Sequence, residues 1–203
     1  MDKLVFTIVG KKGLLMNNPL GSMMAGIDVN VAKTKTTKSS KGGVEVLSLV
    51  DQGKVSRYLK DGKLYLPAEA VRKCLIIAAK GYKVKGQRAS MADVVAASLV
   101  IFEPTFTLLN PKTNKPLKET DYELDIRRVV IPGTKSAVPR GRALITSWSC
   151  ICIFEFDTDK LAAGDIKPMI EDAGRFPGLL DYRPAKSGWF GTFTLKDIEV
   201  QKE

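Results

Sequence analysis

Leu4, Phe6 and Ile8 alternate with Val5, Thr7 and Val9 until Gly10 and Gly13 break the run, a pattern that predicts a buried opening strand. Leu14, Leu15 and Met16 form an apolar anchor ahead of the turn residues Asn17, Asn18 and Pro19. Met23 and Met24 follow as either satellite core or an adaptable contact surface. From 44 to 67 the apolar positions suit two short strands around Asp51 to Gly53, then a turn at Asp61 and Gly62 ahead of Leu64 and Leu66. Helical spacing begins at Pro67: Val71, Cys74, Leu75 and Ala78 share one face, Glu69 and Lys73 stand four apart, and Gly81 stops the helix. Ser90 and Asp93 then open a short helix running to about Ala97, and strands are expected at 99–102 and 105–109, on either side of Pro104.

Asn110 to Pro116 is turn chemistry, and 122–131 reads as a strand with Arg127 and Arg128 on opposite faces, so that one of them must be exposed or paired. The following IPGTKSAVPRGR reads as a basic loop between strands. Residues 143–156 read as one long strand, with Trp148, Cys150, Cys152, Phe154 and Phe156 on the same side. The last unit, 166–200, opens with a helical face of Ile166, Met169, Ile170 and Ala173 that Gly174 and Gly178 terminate. A reversal holding Tyr182, Pro184 and Gly188 follows, and alternation from Trp189 through Gly191, Phe193 and Leu195 predicts a closing strand. The order is strand, inserted region, helix, strand pair with extra elements, helix, strand. That is the split βαβ order of a ferredoxin-like α+β domain, an antiparallel four-stranded sheet with two helices on one face, here expected as a single domain over 1–203 with large loop insertions. RNA-recognition modules share this architecture, although their aromatic consensus is missing here.

Charge adds a partner to the fold. The formal charge of +10 and a pI near 9.5 predict a polyanion, nucleic acid first, against the alternative of a ribosome-like or merely solubilising surplus. Lys33, Lys35, Lys38 and Lys41 lie among Thr, Ser and Gly in a mobile basic insertion near 29–43, which is either an arm closing on a phosphate backbone or a solvated connection. Lys80, Lys83, Lys85 and Arg88 surround Tyr82, a basic cluster with an interleaved aromatic. Arg140 and Arg142 sit in the basic loop, and Arg175, Arg183 and Lys186 in or beside the final reversal. Tyr82, Tyr182 and Trp189 are the candidate stacking rings. Arg175 and Arg183 are phosphate clamps or else turn residues paired with Asp172 or Asp181.

Catalysis is disfavoured. The chain has no histidine, which removes the commonest general base and zinc ligand. Cys74, Cys150 and Cys152 show no metal or redox spacing, and Cys150 and Cys152 read as small buried hydrophobes. Asp121, Glu123 and Asp125 share a strand face, as a metal site or as a solvated acidic face. With no P-loop, dinucleotide fingerprint or nucleophile elbow, no enzyme activity, cofactor or metal is expected. No run approaches the roughly 20 apolar residues of a membrane span, and the start lacks a secretory signal, so a soluble cytoplasmic protein is expected, with no membrane partner.

The N-terminal strand leading to GLLMNNP, together with AGRFPGLLDYRPAKSGWFGTF near the other end, resembles a group of bacteriophage and prophage proteins of poorly defined role. These are similar in turn to the RAMP superfamily of CRISPR effector subunits. The resemblance covers about a quarter of the chain. It implies a ferredoxin-like core whose glycine-rich loops hold single-stranded nucleic acid, DNA or RNA, and subunits that oligomerise along the strand. RAMP nucleases commonly rely on a histidine, so their cleaving activity is not carried over. The competing expectation is a structural or assembly protein that forms homo-oligomers and offers its basic surface to an acidic partner.

Overall fold

The computed structural model describes residues 2–24, 48–130 and 137–202; the insertion near 29–43, with Lys33, Lys35, Lys38 and Lys41, lies outside them. The opening alternation forms β1 (Asp2–Gly10), with Leu4, Phe6 and Ile8 fully buried. β2 (Leu14–Leu15) and a short helix α1 (Pro19–Met24) follow; the side chains of Met23 and Met24 are outside the described part. The strands expected around Asp51 are instead a helix, α2 (Leu49–Val55). Ser48 decides this locally, because its Oγ accepts the Asp51 N–H at 3.1 Å and caps the helix. Gly53 is buried on this helix, where any Cβ would press into Leu124 Cδ1. β3 (Leu59–Lys60) and β4 (Lys63–Pro67) form the expected hairpin, with Asp61 and Gly62 at φ 51° and 70°.

α3 (Ala68–Ala79) begins behind Pro67 and buries Val71, Cys74, Leu75 and Ala79. α4 (Ala92–Ser98) has Met91 at its N-cap position, one residue beyond the expected Ser90 and without a side-chain capping bond. β5 (Leu99–Ile101), β6 (Thr105–Leu109) and β7 (Glu123–Val130) match the predicted runs closely. The basic segment predicted as a loop is largely strand: β8 (Ala137–Ile145) carries Arg140 and Arg142 in register with β7. Nor is 143–156 one strand. The chain bends after Ile145 and restarts as β9 (Ser149–Phe156), because Trp148 turns fully inward and its Nε1 donates to the Lys12 carbonyl at 3.0 Å. The indole lies where a Cβ on Gly10 would stand. α5 (Ala163–Arg175) buries Ile166, Met169, Ile170 and Ala173 as its spacing predicts, and the chain closes with β10 (Phe193–Gln201). That strand starts four residues later than Trp189, since Gly191 at φ +69° turns the backbone out of the extended region.

The protein is mixed α+β. Its large sheet is antiparallel, ordered β10-β1-β9-β6-β4-β3, and β5 joins β9 to make seven strands; a three-stranded sheet β2-β8-β7 stands apart from it. The described residues thus hold more strands and helices than the four and two expected. Phe6 and Phe154 stack at 6.1 Å and Phe106 meets Phe154 edge-on at 5.3 Å, on the sheet face that shares one core with α3 and α5. Cys74 Sγ ties the two helices together through the carbonyls of Ala173 (3.4 Å) and Gly178 (3.2 Å). Burial pushes its thiol up to about 12. The opposite face of the sheet carries Val5, Thr7, Ile151 and Ile153 beside Glu155, Asp197 and Glu199, mainly aliphatic and acidic, with Lys3 at one end over the Phe102 ring.

Candidate functional site

The turn between α5 and β10 is held in an uncommon backbone shape. Leu180, Tyr182 and Ser187 all take positive φ (56°, 48° and 58°), each at a cost of about 1–3 kcal/mol that the surroundings must offset. Main-chain bonds supply the restraint, two of them to the distant 13–15 segment and one within the turn itself. Asp181 N donates to Leu15 O at 3.1 Å, Gly191 N to Gly13 O at 2.8 Å, and Phe190 N to Tyr182 O at 3.1 Å. Asp181 Oδ1 also accepts the Tyr182 N–H at 2.9 Å. Gly188 is required by close approach: a Cβ there would overlap the Tyr182 carbonyl.

Facing this turn is one side of the β7–β8 ribbon. Register places Asp125 opposite Arg142 and Arg127 opposite Arg140, so three guanidinium groups and one carboxylate crowd a single face. Burial first, and then the neighbouring Arg142 charge, lower the Arg140 pKa. Arg142 is the most enclosed, its side chain 8% exposed, and it meets Asp181 Oδ2 at 2.9 Å. Arg142 Nη1 makes this contact out of hydrogen-bond alignment, so Asp181 Oδ2 has no hydrogen-bond partner among the described residues, and neither has Arg142 Nε. Arg127 Nε donates to Asp125 Oδ1 at 2.6 Å. Its guanidinium lies 4.7 Å from the Phe190 ring, 4.9 Å from Trp189 and 5.3 Å from Tyr182, a triple cation–π contact.

Ribbon and turn enclose a groove of about 640 Å³, lined by Arg127, Arg128, Arg142, Arg183, Lys186 and the aliphatic pair Val129 and Val130, with Tyr182 and Asp181 on the turn side. Five cationic residues therefore line a groove beside two carboxylates, Asp181 within it and Asp125 bonded to Arg127, an excess that draws and orients anions. Asp181 and Arg183 also line a smaller cavity of about 320 Å³ that reaches Cys74.

Of the residues predicted from sequence, Arg142, Tyr182, Arg183 and Lys186 come together in the groove, Arg140 shares its ribbon face, and Trp189 touches two of its lining residues. Arg175 does not join them; it is exposed at the end of α5. Asp181 pairs with Arg142 rather than with Arg175 or Arg183, and Asp172 accepts the Tyr82 hydroxyl at 2.6 Å. Lys80, Lys83, Lys85 and Arg88 form a separate exposed turn between α3 and α4. Tyr82 there borders an apolar cavity of about 420 Å³, and burial, then the bond to Asp172, push its hydroxyl up to about 12. Arg127 and Arg128 were not among the predicted site residues; their signal was the alternation that set them on opposite faces of one strand. Asp125 binds Arg127, and no cluster of three or more metal-ligating side chains occurs among the described residues. All three cysteines are free and buried.

The chain matches no known family model and no curated protein. No helix among the described residues is long and apolar enough to cross a membrane.

Proposed function

We propose that this protein is a non-enzymatic binder of single-stranded nucleic acid and that the groove between the β7–β8 ribbon and the 180–187 turn receives the phosphate backbone. The observation that carries this reading is that Arg127, Arg142, Arg183 and Lys186 line one groove, with Arg128 at its edge, against only two nearby carboxylates, Asp181 and Asp125. Guanidinium groups suit phosphate oxygens through paired N–H donors, and a preset cluster spares the ligand the cost of gathering them. The order β10-β1-β9-β6, with α3 and α5 on one face, supports a ferredoxin-like core within the larger sheet. The resemblance to RAMP-type proteins points the same way. In this reading the ligand meets the groove rather than the open sheet face, whose mainly aliphatic and acidic side chains, with Lys3 at one end, suit a polyanion poorly.

The test is a titration of an oligothymidylate at several salt concentrations. Log affinity is expected to fall linearly with log salt, with a slope of about −0.7 for each phosphate contact. Lys186→Ala, at an exposed position, should flatten the slope by about one such contact. A salt-independent affinity would overturn the proposal. So would a slope that responds to Lys83→Ala and Lys85→Ala and ignores Lys186→Ala.

A further inference from the structure

We infer that Trp189 is the floor of a base subsite: a single unpaired nucleobase stacks on its indole while the adjoining phosphates lie in the groove. This rests on the nucleic-acid reading above and adds what the site reads besides charge. Three rings were candidates, and their surroundings separate them. The Tyr82 hydroxyl is tied to Asp172, and its ring packs against the core, away from the groove. Tyr182 belongs to the same cluster, 4.9 Å from Trp189, 6.2 Å from Phe190 and 5.3 Å from the Arg127 guanidinium, but it is half-buried. Trp189 keeps 48% of its surface exposed.

Exposure of one aromatic is ordinary by itself; its support is what distinguishes it. The Trp189 ring meets Tyr182 in a T-shaped contact at 80°, leans on the buried Phe190 at 5.5 Å, and carries Arg127 at 4.9 Å. Arg127 and Tyr182 line the groove themselves, so the indole stands directly beside the cations. A ring immobilised before the ligand arrives loses little entropy on stacking. Every base has a π face, so such a ledge favours unpaired bases without reading their sequence, and it discriminates against a backbone that has none. Arg127 is a positioning residue here: it holds the ring and adds charge.

The test compares an oligothymidylate with an abasic oligomer of the same length and charge, following affinity and tryptophan emission. The other tryptophan, Trp148, is fully buried, so a ligand-induced change reports Trp189 and must vanish in Trp189→Phe. The base-bearing strand is expected to bind roughly five- to hundred-fold tighter and to quench the emission, while the abasic strand leaves it unchanged. Trp189→Ala should bring the two affinities together, and Trp189→Phe, which keeps a ring, should retain part of the preference. Equal affinities with no quenching overturn the base subsite and leave the groove reading intact. A preference that survives in Trp189→Ala places base contact elsewhere and also overturns it. Binding of neither strand overturns both.

Discussion

Replacing Asp181 by Asn should weaken the fold and strengthen the binding at once. Asn keeps an Oδ1 for the Tyr182 N–H, so the turn retains its local bond. It removes the charge facing Arg142, whose side chain is 92% buried by the complement of its 8% exposure. Taking one partner from a buried ion pair costs about 3–5 kcal/mol. Asp181 is itself 30% exposed, which brings the expectation down to about 2 kcal/mol. For a chain of 203 residues that is a fall in Tm of about 4–8 °C. On the binding side, a phosphate about 8 Å from the lost carboxylate, at an effective dielectric of about 40, gains about 1 kcal/mol, roughly six-fold in Kd. The salt slope should steepen by up to about 0.7 as Arg142 becomes available to the ligand. Thermal melts followed by circular dichroism and fluorescence anisotropy with an oligothymidylate measure both arms. An unchanged Tm together with an unchanged Kd would refute the assignment of Asp181 as the groove's internal counter-charge. Weaker binding would show instead that Asp181 holds Arg142 in place for the ligand.

Gly188→Ala should cost about 1–3 kcal/mol because its Cβ collides with backbone rather than with a yielding side chain. Gly164→Ala, in open space within α5, is the control and should leave Tm unchanged or raise it. Tyr82 gives a pH dependence. Its folded-state pKa of about 12 lies above the ordinary 10.0, so its contribution is fully present below pH 10 and is lost as pH rises through about 12. Unfolding free energies from urea titrations of wild type and Tyr82→Phe should differ by about 1 kcal/mol at neutral pH and converge at the alkaline end; a constant difference across that range would dismiss the Tyr82–Asp172 bond as the cause.

Local pattern was readable in this sequence wherever one face of an element is buried by near neighbours. The alternation of Leu4, Phe6 and Ile8 and the spacing of Ile166, Met169, Ile170 and Ala173 gave β1 and α5 directly. It misled where punctuation residues serve tertiary contacts. Pro139 and Gly141 look like loop residues, yet both lie in β8, and Gly141 is there because the Leu49 carbonyl approaches too closely for any Cβ. Trp148 breaks a run that alternation alone would continue, because its indole has a place waiting beneath Gly10. Half of the groove was legible as the basic final turn. Arg127 was not, since its importance comes from three rings more than fifty positions downstream, as the sequence shows.

The bonds from Leu15 and Gly13 to the 180–191 turn have a thermodynamic consequence. The groove is lined by residues between 127 and 186, and its turn is held by bonds to residues 13 and 15 near the other end of the described chain, so no short local fragment contains it. A ligand bound there is linked to the global equilibrium rather than to the opening of one loop. At a free concentration one hundred times its Kd, a single-site ligand with no affinity for the unfolded chain adds about 2.7 kcal/mol to the stability of the whole protein. Hydrogen exchange of the slowest amides in β1 and β9, far from any phosphate, should then slow along with those of the turn.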